Sequence, residues 1–162
     1  MENSSAIMGI ALLALFVGPI IFMIVRHSSK EKRVKKRLHS LATENNMKLD
    51  QIEITNSLLL GLDSNTKKFL VIDPSDHTKY EVIDLKNVGQ SVVAKSGHQQ
   101  KIGNKNKLAL THIGLELLKN NSKEKVKEVI FYDEDDNDSL DADAQLFMAN
   151  KWDKLIKSNL SA

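Results

Sequence analysis

The most constraining feature of the sequence is an uncharged apolar run over residues 6–25, followed at once by the basic stretch RHSSKEKRVKKR. A helix of this length rises about 30 Å, which matches the hydrocarbon thickness of a bilayer. A cleaved signal peptide fits less well, because residues 1–5 contain no lysine or arginine and Val25, Arg26 and His27 make a poor cleavage site. A buried helix of a small soluble domain is rarely apolar on all sides. The run therefore predicts a permanent transmembrane helix.

Basic residues crowd the C-terminal side of this run, and such residues mark the cytoplasmic end of a span. We therefore expect a single-pass protein of the cytoplasmic (inner) membrane, with its N-terminus outside and its C-terminal domain in the cytoplasm. The absence of cysteine agrees with that location. The residues predicted to contact the membrane surface are Arg26, Lys30, Lys32, Arg33, Lys35, Lys36 and Arg37.

Residues 26–46 are predicted to form a basic amphipathic helix, with a narrow apolar stripe and a C-terminal stop at Asn45 and Asn46. This helix either lies on anionic headgroups or packs on the domain that follows. A third interpretation is that its charges only set the topology.

From residue 47 the hydrophobic period becomes alternating, which predicts antiparallel strands. We expect a polar, mobile hairpin loop at 96–106, and one long strand or two short ones over 108–118, broken at Gly114. The total is six or seven strands. The others are expected over residues 52–62, 68–72, 78–85, 88–95 and 126–132.

The period becomes helical again over residues 139–158, where the apolar positions share one face. A helix of this kind must bury that face, and the sheet is the surface available to it. The residues predicted to pack between helix and sheet are Phe147, Met148, Trp152, Leu155 and Ile156.

An acidic block precedes this helix, and its alternate oxygen-bearing side chains suggest calcium only weakly. An EF-hand loop needs glycine at its sixth position and glutamate at its twelfth, where this chain has Asp138 and Ala144. We therefore predict a solvated loop and helix cap, with no metal and no cofactor; pairing of the block with the basic helix stays an alternative. The weak calcium candidates are Asp133, Asp135, Asn137 and Asp141.

No catalytic motif is present: the sequence has no glycine-rich phosphate loop, no HExxH and no nucleophile elbow. Nucleic acid is not an expected partner, because no basic domain with interleaved aromatics exists. The sequence predicts that the protein is not an enzyme. An enzyme would need an unrecognised site, such as polar groups converging near His77 or His112.

The order of elements, six or seven antiparallel strands and then a helix with a buried Trp152, resembles a pleckstrin-homology-like domain. The stretches LLLGLDSNTKKFLVI, YEVIDLKNV and AQLFMANKWDKLI are similar to those of membrane-attached bacterial proteins with such domains. The resemblance covers about residues 48–158. It implies an α+β fold: an N-terminal transmembrane helix, then an antiparallel PH-like β-barrel or sheet capped by a C-terminal amphipathic helix. Only Lys67 and Lys68 stand at the first hairpin, so a phosphoinositide site is not implied.

These features predict a non-enzymatic, membrane-anchored binding or scaffolding module, such as an accessory subunit of a membrane protein complex. Its partners would be membrane lipid and a membrane protein, bound by strand addition at an open sheet edge or in a groove beside the last helix. The alternative function is a sensor of anionic lipid or membrane-surface charge. The predicted organisation is a tail at 1–5, the span 6–25, the basic helix 26–46, the PH-like domain 47–158 and a tail at 159–162.

Overall fold

The computed structural model describes residues 17, 32–55, 57–73, 79–102, 105–120, 122, 124–136 and 141–160. The chain divides into two compact units, residues 1–41 and 42–162. The described residues of the first unit are helical. Helix α1 is described over residues 32–44, and its last residues belong to the second unit.

Helix α1 ends where the sequence predicted. Asn46 has a φ of 54°, in the left-handed region that asparagine tolerates better than most residues. The Asn46 N–H donates to the carbonyl of Thr43 at 3.0 Å, and the Met47 N–H donates to the carbonyl of Ala42 at 2.8 Å. These two bonds satisfy carbonyls at the helix end, so the predicted stop at Asn45 and Asn46 is confirmed.

The predicted transmembrane helix is not seen. Within the part of the chain that the structure describes, no helix has both the length and the apolar character needed to cross a bilayer. Helix α1 exposes lysine and arginine side chains over residues 32–36, which a membrane span does not tolerate. The predicted span, residues 6–25, lies outside the described residues except for Val17. The fold class is corrected accordingly: over the described residues it is two antiparallel sheets and two helices, neither of which could span a membrane.

The first sheet contains four antiparallel strands in sequential order. They are β1 (Gln51–Ile54), β2 (Leu59–Asp63), β3 (Lys68–Ile72) and β4 (Tyr80–Asp84). The single long strand predicted over 52–62 is wrong, because the chain turns between Thr55 and Leu58. The Thr55 N–H donates to the Leu58 carbonyl at 2.9 Å, and Thr55 Oγ1 accepts the Leu58 N–H at 2.9 Å. The apolar residues before and after the turn keep the same parity, so the interruption at Asn56 does not reveal the turn.

The second sheet contains β5 (Val88–Ile102), β6 (Lys105–Lys119) and β7 (Lys125–Asp133), again antiparallel and in order. The loop predicted at 96–106 is wrong, since the β5–β6 pairing continues to Ile102 and Lys105. Strand β6 is also not broken at Gly114. The seventh strand comes instead from the turn between Thr55 and Leu58. Main-chain pairing between the two strands holds this polar hairpin together. Only a buried face imposes apolar alternation on a strand, and the sequence of this hairpin shows no such alternation.

The seven strands do not close into the predicted barrel. The first sheet ends at β1 and β4, the second ends at β5 and β7, and no backbone ladder joins the two sheets in the described residues. Strand β1 has only four residues, and β7 carries Val126 and Phe131 as extra residues where its register shifts against β6. Neither strand offers a long regular ladder for closure.

Helix α2 (Ala142–Lys157) covers the core between the sheets. Trp152 is 1% exposed and lies against Phe69, with 5.4 Å between their ring centroids. Ile156 is fully buried, and Met148 and Leu155 are half-buried against the same core. Four of the five residues predicted to pack between helix and sheet therefore lie there.

The fifth predicted packing residue, Phe147, requires a correction, because its side chain is 73% exposed. The buried side of α2 runs through Gln145, Ala149, Trp152 and Ile156. At about 100° of rotation per residue, Phe147 lies on the opposite side of the helix from Ile156. The apolar face inferred from the sequence was wider than the one that is buried.

Candidate functional site

The outer edge of β5 is the longest regular open edge among the described strands. From Gln90 to Ile102 the strand carries no extra residue of its own; the register shift near Ser96 comes from an additional residue on β6. Gln90 and the segment from Lys95 to Gln99 are exposed. An edge of this kind presents unpaired backbone N–H and C=O groups to solvent and can accept another strand.

The other three edges are short or protected. Strands β1 and β4 have four and five residues. Strand β7 begins with Lys125 and Lys127 and contains two bulges. Edge lysines, bulges and short strands are the devices that natural sheets use against unwanted pairing. The edge of β5 between Gln90 and Ala94 has none of these devices and no charged side chain.

A buried polar contact holds α2 against β5. The Ser91 hydroxyl donates to Asp153 Oδ1 at 2.8 Å, and Lys157 Nζ donates to Asp153 Oδ2 at 2.7 Å. Ser91 is fully buried and Asp153 is 9% exposed. Removing either partner would leave a buried polar group unsatisfied, so this contact fixes the helix beside the start of the open edge.

A second feature is a charged network on the outward face of β6 and β7. His112 Nε2 lies 2.9 Å from Glu128 Oε1, and His112 Nδ1 lies 3.4 Å from Asp133 Oδ2. Lys125 Nζ lies 2.8 Å from Glu128 Oε2 and 2.6 Å from Glu116 Oε1. Glu128 thus connects a histidine to a lysine. We call these five residues the His112 network.

Gly114 makes room for this network. A Cβ atom at this position would lie 2.3 Å from Glu128 Oε1, closer than any real contact. Because Gly114 stands between His112 and Glu116 on the same face of β6, the Glu128 side chain can lie across it and reach His112.

The contacts within the His112 network stabilise the charged forms of His112 and Glu128. The hydrogen bond that His112 donates to the Glu128 carboxylate, aided by Asp133, outweighs partial burial and raises the pKa of His112 above its ordinary value of 6.5. Hydrogen bonds from Lys125 and His112 lower the pKa of Glu128 below 4.5. With a carboxylate at each ring nitrogen, His112 is satisfied only as an imidazolium, so neither nitrogen is free to act as a general base.

We expect the contribution of this network to stability to depend on pH. The raised pKa of His112 means that its contribution is complete below pH 6.5 and is lost as the pH rises through the folded value. The lowered pKa of Glu128 means that its contribution is present above pH 4.5 and is lost as the pH falls through the folded value.

Chemical denaturation of the native chain and of His112→Gln measures this effect. The difference in unfolding free energy should reach about 1 kcal/mol at about pH 5–6 and shrink as the pH rises towards about 9. His98→Gln, at an exposed position of β5, is the matched control. A His112→Gln difference that stays constant over this range would contradict the assignment.

Two of the calcium candidates, Asp133 and Asp141, have side chains that accept hydrogen bonds within the protein. Asp133 contacts His112 and also accepts the Asp135 N–H at 3.2 Å. Asp141 caps α2 by accepting the Asp143 N–H at 3.0 Å. Asn137 lies outside the described residues. Among the described side chains, no group of three histidine or acidic residues has a metal-binding arrangement.

Five of the seven basic residues assigned to a membrane surface are described. The exposed ones are Lys32, Arg33, Lys35 and Lys36, while Arg37 is half-buried. Arg26 and Lys30 lie outside the described residues, as does His77. Contact of these side chains with a membrane stays a prediction.

Sequence reasoning did not find the β5 edge or the His112 network. The C-terminal half of this edge is polar and contains glycine, a composition that predicts a loop and conceals the strand. The network joins residues far apart in the sequence, and the one local signal was Gly114, an isolated glycine in a strand, which indicates a close approach by another group.

Comparisons with protein-family models, with curated proteins and with solved structures found no match to this chain. The resemblance to pleckstrin-homology-like domains therefore rests on the order of elements and the sequence pattern, and stays a prediction.

Proposed function

We propose that this chain is a non-enzymatic binding module that takes up an extended segment of a partner protein as a fourth strand beside β5. The observation that carries the proposal is the free edge from Gln90 to Ile102, the longest regular edge of the described sheets. Main-chain hydrogen bonds supply affinity in such strand addition, and the alternating side chains supply specificity.

The side chains along the edge suit an added strand. Val93 packs on the core, whereas Val92 and Ala94 lie half-buried on the outward face, opposite Glu116 and Gly114 of β6. A partner strand would extend both faces and cover apolar surface at each. The Ser91–Asp153 contact holds the start of the edge in place, so little ordering is needed on binding.

A pair of proline variants tests whether the edge binds. Along an antiparallel strand, successive residues direct their N–H groups to opposite sides. One of the two variants Lys95→Pro and Ser96→Pro therefore removes a backbone N–H that is bonded to β6. The other removes a backbone N–H that faces the open edge. Thermal unfolding identifies the edge variant as the one that stays close to the native chain, since edge strands tolerate proline.

Photo-crosslinking of the full chain in its native cells provides the readout. A photoreactive amino acid at Gln90 or His98, both exposed on β5, should form a discrete adduct with another protein. The matched control positions are the exposed Glu124 and Lys154. The edge proline should abolish the adduct. Equal adducts at all four positions, or an adduct that survives the edge proline, would contradict the proposal.

A further inference from the structure

We infer that the strand taken up by β5 is acidic in the half that lies along the β5–β6 ribbon, the two-stranded segment of residues 97–102 and 105–110. This inference rests on the proposed function and adds the chemistry of the partner. Strand β7 pairs with β6 only over His112–Leu118, so the ribbon extends beyond the three-stranded part of the sheet.

The charge of this region has one sign. The sequence contains no aspartate or glutamate from Val88 to Leu115, a stretch that includes all of β5 and most of β6. The first carboxylate of β6 is Glu116, which Lys125 already pairs. The lysines of the stretch are Lys95, Lys101, Lys105 and Lys107.

The backbone register brings three of these four lysines together at the far end of the ribbon, while Lys95 pairs with Ile113 before it. Ile102 pairs with Lys105, Lys101 with Asn106 and Gln100 with Lys107, so three lysines belong to three successive residue pairs. Opposite residues of antiparallel strands lie about 5 Å apart. A strand added at β5 would end its pairing beside these three residue pairs, at Gln100–Ile102, where like charges are unfavourable and carboxylates are favourable.

The beginning of the edge has a different character. From Gln90 to Ala94 it carries no charge, and three of its five side chains are Val92, Val93 and Ala94. The matching partner is therefore apolar at one end and acidic at the other. In antiparallel addition the acidic residues come first in the partner, because its N-terminal half lies beside the ribbon.

Selection from a displayed library of random short peptides on the folded full chain tests this chemistry. We expect the selected peptides to be enriched in aspartate and glutamate in one half. Replacing those residues by asparagine and glutamine should weaken binding by about tenfold or more, as should high salt. The edge proline variant should not bind the peptides.

Two variants that remove the same net charge separate position from overall charge. The first, called the ribbon variant, replaces the three ribbon lysines, Lys101, Lys105 and Lys107, and also Lys95 just before the ribbon by glutamine. The matched control replaces the exposed Lys36, Lys48, Lys86 and Lys154 by glutamine. The ribbon variant should lose about tenfold in affinity, and the control should bind as the native chain does.

These experiments distinguish a failure of the inferred acidic partner from a failure of the proposed strand addition at β5. Peptides that bind at the edge without acidic enrichment would overturn the acidic partner and leave strand addition intact. Acidic peptides that bind the edge proline variant equally well would show a general attraction to polyanions and overturn the inference. Equal weakening by both lysine variants would overturn it too. A library that yields no binder would overturn both proposals.

Discussion

Replacing Trp152 by alanine is expected to lower the free energy of unfolding by about 3–5 kcal/mol. Trp152 is 1% exposed, contacts Phe69 and joins α2 to the core of the two sheets. Its removal would leave the largest cavity that a single substitution can make among the described residues, because its neighbours belong to different elements that cannot all collapse inward.

Circular dichroism during chemical denaturation measures this loss, since Trp152 is the only tryptophan and its fluorescence disappears with it. Phe147→Ala, on the exposed side of the same helix, is the control and should change stability by less than about 0.5 kcal/mol. Trp152→Phe should cost less than alanine, because it keeps a ring against Phe69 and removes an indole N–H that finds no acceptor among the described residues. An alanine loss below about 1 kcal/mol would contradict the assigned role of Trp152.

The elements that the sequence predicted well are those whose side chains meet the core. Strand β3 was predicted with its observed bounds, because Phe69, Leu70 and Ile72 are buried and the turn residues beside it are polar. The helical period of α2 likewise came from its buried side. Phe147 is assigned to the wrong side of α2 because its hydrophobicity alone does not distinguish a buried position from an exposed one.

The candidate site could not be predicted in the same way. The ribbon is held by main-chain pairing, which leaves no alternation in the sequence, and its polar residues are those typical of a loop. An open edge is also a property of the whole sheet: β5 has a free side only because β7 pairs on the far side of β6. Neither fact is contained in any local stretch of residues.

The absence of aspartate and glutamate from residues 88–115, by contrast, is visible in the sequence. Its consequence for binding can be inferred only from the register of β5 and β6. As a loop, the lysines of this stretch would be scattered surface charges, each screened by salt. As paired strands, Lys101, Lys105 and Lys107 stand in three successive residue pairs beside the outer edge of β5. The proposed preference for an acidic partner therefore depends on the strand register and not on composition alone.

Asp63 is the residue whose loss should have the second largest effect. Its side chain is 1% exposed. Oδ1 accepts the N–H groups of Asn65 and Thr66, both at 3.0 Å, and Oδ2 accepts the Lys48 N–H at 2.6 Å. Asp63 therefore holds the β2–β3 turn closed and ties the segment before β1 to it. Asp63→Ala would leave these donors without their acceptor and should lower the free energy of unfolding by about 3 kcal/mol.

The pH dependence of this effect identifies its origin. Burial opposes ionisation of Asp63, but the backbone N–H groups of Thr66, Lys48 and Asn65 outweigh it and lower the pKa below 3.8. Its contribution is thus complete above the unfolded value and is lost as the pH falls through the folded one. Asp63→Asn keeps one acceptor oxygen, so it should cost about 1–2 kcal/mol at neutral pH and progressively less below about pH 4.

Asp84→Asn is the matched control for Asp63→Asn. Asp84 also accepts a backbone N–H, that of Lys86 at 3.0 Å, but it is exposed, so solvent can replace the lost bond. This variant should lose less than about 1 kcal/mol. If the two asparagine variants proved equally stable at neutral pH, burial of the Asp63 carboxylate would not be the source of its effect. A loss that did not shrink in acid would place the effect in the packing of the turn instead of its charge.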